Sequence, residues 1–78
     1  MSLKPELLRQ ITGKTIAGIV TREGAGAGPR YQLFMIFTDN TYLEFYGDMG
    51  WSTQLETGDV ETVKQYASRF GGKVAVIA

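Results

Sequence analysis

The segment Tyr31 to Thr38 carries large apolar side chains in both directions. Read as a strand, it alternates, so Leu33, Met35 and Phe37 line one face and Phe34 and Ile36 the other. A strand that is apolar on both faces belongs in the middle of a sheet, with a cover on each side. Few elements can supply those covers, because the chain has only 78 residues. A chain of that length buries about 60% of the surface its unfolded form exposes. The question is therefore what hides the second face.

The flanking segments supply the remaining elements. Lys4 to Thr12 reads as a short helix: Pro5 suits the first turn, Leu7, Leu8 and Ile11 share a face, and Gly13 stops it. Lys14 to Arg22 alternates as a strand, with Gly18 marking a bulge or a close approach. Asp39-Asn40 is a tight turn leading into a return strand, Thr41 to Gly47. On that strand Leu43 and Phe45 face one way and Tyr42, Glu44 and Tyr46 the other, a face expected to be wet or at an interface. Trp51 to Glu56 reads equally as a short extra strand or as a loop pinned by Trp51. Asp59 is an N-cap candidate for a helix to Phe70, whose apolar stripe runs through Val60, Val63, Ala67 and Phe70. Gly71-Gly72 closes it, and Lys73 to Ala78 reads as an apolar strand, paired inside a sheet or across a dimer.

The order α-β-β-β-α-β predicts one α+β domain over residues 1–78. Its sheet is mostly antiparallel with four strands, or five if the segment after Trp51 joins. The main helix covers one face. Only the short N-terminal helix remains for the other, so a second subunit is expected to cover the rest, as a homodimer.

Composition removes whole classes of function. The chain has no cysteine and no histidine, which excludes disulfides, thiolate metal sites and the commonest general base. Lys and Arg balance Asp and Glu at 8 each, which argues against binding nucleic acid through bulk charge. The longest apolar run, Leu33 to Phe37, is far below the 18 or more residues of a membrane span, and no leader pattern is visible. A cytoplasmic protein with no membrane partner is the expectation. No cofactor or metal motif is present; Asp39, Glu44 and Asp48 lack the spacing of a calcium loop.

Three features invite a functional reading. The Gly-rich loop, residues 23–30, is flanked by Arg22 and Arg30 and resembles a phosphate cradle only in glycine content. It precedes a strand rather than a helix, so it reads as a hairpin connection or as a flap over a ligand. Between Arg30 and Lys64 lie six acids, Asp39, Glu44, Asp48, Glu56, Asp59 and Glu61, and no base. That stretch reads as solvated loop ends or as a surface for a cation or the basic half of another copy. Tyr42, Glu44, Tyr46 and Trp51 form an aromatic set suited to an interface, or to plain packing under the N-terminal helix.

Two functions from different classes follow. One is a small homo-oligomeric interaction or accessory module without catalysis of its own, whose partner is itself or another protein. The other is a small-ligand-binding domain using the Gly-rich loop, with Tyr42, Tyr46 and Trp51 as walls. An enzyme would have to work through a carboxylate pair such as Glu44 and Asp48, a kind of pair that any small protein has, since Ser2, Ser52 and Ser68 have no neighbouring base in the sequence. The residues singled out as ligand or interface candidates are therefore Arg22, Arg30, Tyr42, Glu44, Tyr46 and Trp51.

Overall fold

A computed structural model describes residues 5–24, 30–47, 50–52 and 54–77. The elements are α1 (Pro5–Ile11), β1 (Ile16–Glu23), β2 (Tyr31–Phe37), β3 (Thr41–Phe45), β4 (Glu56–Thr57), α2 (Val60–Ser68) and β5 (Lys73–Ile77). They form an α+β domain around one antiparallel sheet of five strands in the order β4-β3-β2-β1-β5. The doubly apolar strand is β2, and it is central. The fifth strand is β4, which begins at Glu56, the last residue of the segment where the extra strand was expected. Around Trp51 the described backbone makes a single bridge, to Phe45.

Local chemistry accounts for the joints. Asn40 turns the β2–β3 hairpin with φ 64°, a left-handed conformation that Asn tolerates better than most residues. Asp39 caps the same turn, its carboxylate accepting from the Thr41 N–H at 3.2 Å and hydroxyl at 2.6 Å. Asp59 is the N-cap of α2 and accepts from the Thr62 N–H at 2.8 Å. The register of β1 against β2 shifts between Ile16 and Gly18, so Gly18 sits at a bulge. It is also a point of close approach: a Cβ there would lie 3.1 Å from Cγ2 of Val60, at the start of α2.

The two faces are covered unequally. On one, α2 lays Val63 and Ala67 over Val20, Phe34 and Ile36, all five fully buried, with Tyr42, Val60, Tyr66 and Val74 around them. Phe34 meets Tyr42 and Tyr66 edge to face, with ring centroids 6.1 and 6.0 Å apart. On the other face α1 contributes one buried residue, Leu7, against Phe37 and Leu43. Met35, Phe45 and Ile11 are only half-buried there. The short helix therefore shields one end of its face and leaves Ile19, Thr21 and Leu33 partly open.

Of the two arrangements expected for the last strand, inside the sheet or across a dimer, the first is not found. β5 does not lie inside the sheet; it forms an edge, paired with β1 alone. Val76 is 42% and Ile77 56% exposed.

Candidate functional site

β1, β2 and β3 each place one polar residue on the α2 face, beyond the apolar core. These are Arg22, Gln32 and Glu44, and all three are buried. Arg22 lies opposite Gln32 in the β1–β2 register, and Glu44 opposite Phe34 in the β2–β3 register, one diagonal step from Gln32. The Arg22 Nε–H donates to Gln32 Oε1 at 2.5 Å, and the Gln32 amide donates to Glu44 Oε2 at 2.7 Å. A cation and an anion are thus joined through a neutral amide that accepts on one side and donates on the other. Each bond polarises the next.

Both ends of the relay are held in place. Arg22 Nη1 donates to the Gly71 carbonyl at 3.0 Å, and its guanidinium carbon lies 5.7 Å from the Phe70 ring centroid. The turn after α2 therefore closes over Arg22. Glu44 is fixed from the backbone side by Ser52: its N–H donates to Ser52 Oγ at 3.1 Å, and its carbonyl accepts from the Ser52 N–H at 2.7 Å. Burial pushes the Glu44 carboxyl above its ordinary value; the Gln32 hydrogen bond opposes this and the charge of Glu56 adds to it.

Tyrosines surround the acidic end. Tyr42 is pushed up to about 12, chiefly by burial and then by the charges of Glu44 and Glu56. Burial and the same two carboxylates raise Tyr46 and Tyr66. Tyr42 and Tyr66, with Thr62 and Arg69, line a cleft of about 190 Å³ between β3 and α2. The phenols are held protonated, and a neighbouring carboxyl is raised. Among the described residues no group of three metal-ligating side chains occurs. The three side chains form a packed, hydrogen-bonded polar relay.

The candidates divide as follows. Tyr42, Glu44 and Tyr46 do share a face, but that face lies toward α2 rather than toward solvent or the N-terminal helix. On this face, expected to be wet or at an interface, Glu44 is buried with Gln32 as its partner, whereas Tyr42 and Tyr46 are half-buried. Trp51 stands apart, its ring 5.2 Å from that of Phe45, on the α1 face. It therefore does not share a pocket wall with Tyr42 and Tyr46. Its indole N–H is buried without an acceptor among the described residues. Arg22 is not a surface residue at the rim of a flap; it is 1% exposed. Arg30 is exposed and borders a surface depression with Glu23, Gly24, Tyr31 and Lys73. The centre of the Gly-rich loop, 25–29, and Asp48 lie outside the described residues.

Sequence reading missed Gln32, the residue that joins the other two. The signal was available in part: with Arg22 on β1 and Glu44 on β3, a polar residue among the even-numbered positions of β2 is the natural bridge. On the opposite face Thr21, Tyr31, Leu33, Phe45 and Gly47 line a shallow groove of about 240 Å³, beyond the reach of α1.

No helix among the described residues is long and apolar enough to cross a membrane. Comparison with protein-family models, with curated proteins and with solved structures finds no match for this chain.

Proposed function

We propose that this chain is a small homo-oligomeric interaction module that carries no catalysis of its own. The observation that supports it is the apolar surplus at one side of the sheet. Val76, Ile77 and Ile16 are exposed large apolar residues, and Val76 and Ile77 belong to an edge strand that lacks cover on its outer side among the described residues. An uncovered apolar edge is a ready template for another strand, and small domains without staples commonly gain stability by assembling.

Sedimentation velocity across the micromolar range tests the reading. A concentration-dependent shift from monomer to dimer is expected. A single monomeric species throughout would sink it. The ligand-binding alternative has less support, since Arg22 is consumed by the Gln32 relay and Trp51 belongs to a different face from Tyr42 and Tyr46.

A further inference from the structure

We infer that two copies pair β5 against β5 in antiparallel fashion, with the two-fold axis passing beside Ala75, so that two sheets join into one of ten strands. This rests on the homo-oligomeric reading above and assigns its interface. The Gly24 N–H donates to the Arg30 carbonyl at 3.0 Å. Backbone bonding alternates along an antiparallel strand, so the even residues of β1 bond to β2. The odd residues Ile19, Thr21 and Glu23 then bond to β5, where they face Ile77, Ala75 and Lys73. It follows that the N–H and C=O groups of Val74 and Val76 point outward, away from the sheet. The opposite edge obeys the same alternation: Glu44, an even residue of β3, turns its N–H and C=O outward to Ser52.

That outward pattern is self-complementary. Antiparallel pairing about Ala75 sets Val74 of one copy opposite Val76 of the other, twice, and each pair exchanges two backbone bonds. Ala75 meets its own counterpart at a non-hydrogen-bonded position, where Cα atoms approach to about 4.5 Å. A small side chain suits that close approach. Val74 and Val76 share the face of their β1 partners Arg22 and Val20, so four valines would meet beside the two α2 helices.

The edge that each copy offers is the edge that the other needs, which supports a second copy as occupant. Along α2, Thr62, Gln65, Tyr66 and Arg69 line the cleft shared with Tyr42. At 100° per residue, Lys64 lies on the opposite flank, toward β5, on which α2 packs. A two-fold axis normal to the sheet runs the two α2 helices antiparallel on the same face. A five-residue strand spans only about 17 Å. The contact is smaller than the roughly 800 Å² per partner of a standard interface, which predicts a dimer dissociating in the micromolar range.

The experiment uses the absence of native cysteine. Ala75→Cys is oxidised mildly beside a control, Arg9→Cys on α1, and Val76→Pro and Val76→Lys are compared with the parent by sedimentation equilibrium. Proline at 76 removes an N–H that points away from β1, so the β1–β5 ladder survives. If proline nonetheless lowers the melting temperature, lysine charges the same patch without touching the backbone. The expected result is a disulfide-linked dimer for Ala75→Cys, at least tenfold faster than for Arg9→Cys, with dimer dissociation raised at least tenfold by a folded Val76 variant. A parent that dimerises while Ala75→Cys links no faster than the control overturns this interface and leaves the homo-oligomeric reading standing. A parent that stays monomeric overturns both.

Discussion

Gly72 and Arg22 are packed so closely that a side chain on the glycine has nowhere to go. A Cβ at position 72 would lie 3.0 Å from Nη1 of Arg22 and 2.6 Å from the carbonyl oxygen of Glu23. Its φ of 80° adds a left-handed backbone that β-carbons resist. Gly13 has nearly the same φ, 83°, with nothing within 4 Å. Gly13→Ala should therefore cost about 1 kcal/mol, the conformational part alone. Gly72→Ala should cost about 2–4 kcal/mol, because backbone must also move. Thermal denaturation of the two variants side by side measures the difference, and equal losses would refute the steric account.

The relay through Gln32 yields a sharper test. Gln32→Leu fits the strand but leaves a buried guanidinium and a buried carboxylate without their shared partner. A loss of about 3 kcal/mol is expected in urea unfolding. Gln32→Glu still accepts from Arg22 but has no proton to donate to Glu44. Two carboxyls then compete for one proton, so the folded state holds it more tightly than the unfolded state. Stability of this variant should rise as pH falls from 7 toward 5, and a flat profile would argue against the contact.

Two carboxyls of the parent should titrate in opposite senses. Lys14 pairs with Asp39 and Thr41 also donates to it, lowering that carboxyl from 3.8 to about 2. A lowered acid contributes stability above its unfolded value of 3.8, lost as pH falls through about 2. Glu44 is raised above 4.5, so its burial penalty is absent below 4.5 and is complete only above its folded value. Carboxyl chemical shifts followed by NMR should give Asp39 the lower midpoint of the two. Lys14→Met should move Asp39 upward and leave Glu44 unchanged.

Gly18 tests how tightly α2 sits on the sheet. The contact a new Cβ would make is with Cγ2 of Val60 at 3.1 Å, and a methyl terminus can yield by a few tenths of an ångström. Gly18→Ala should be close to neutral, since reduced chain entropy in the unfolded state offsets the crowding. Gly18→Val overpacks the same point and should cost about 1–3 kcal/mol. Differential scanning calorimetry distinguishes the two outcomes.

Local signals were legible wherever they were strong. Asn40, Asp59, Gly13 and the alternation of Leu33 to Phe37 each announced a turn, a cap, a stop and a central strand, because each effect acts within a few residues. The partner of Glu44 was not legible. Its neighbours in the chain are Leu43 and Phe45, whereas its bond is to Gln32, set by a register between strands. The edge position of β5 was hidden for a related reason: Val74, Val76 and Ile77 are apolar whether buried or exposed. Trp51 changed faces because its one bridge, to Phe45, follows a turn whose length the residue types do not determine.

The sheet order carries a consequence for how the domain assembles. From β1 to β4 every strand lies beside its neighbour in the chain, so these four can zip in succession through nearby contacts. β5 alone must wait, since it reaches β1 only after α2 has crossed over. A chain caught before that step would hold Ile19, Thr21 and Glu23 with empty backbone sites, and the final strand of any nearby copy would fit them as well as its own. Slow closure thus leaves a window for strand exchange during refolding at high concentration.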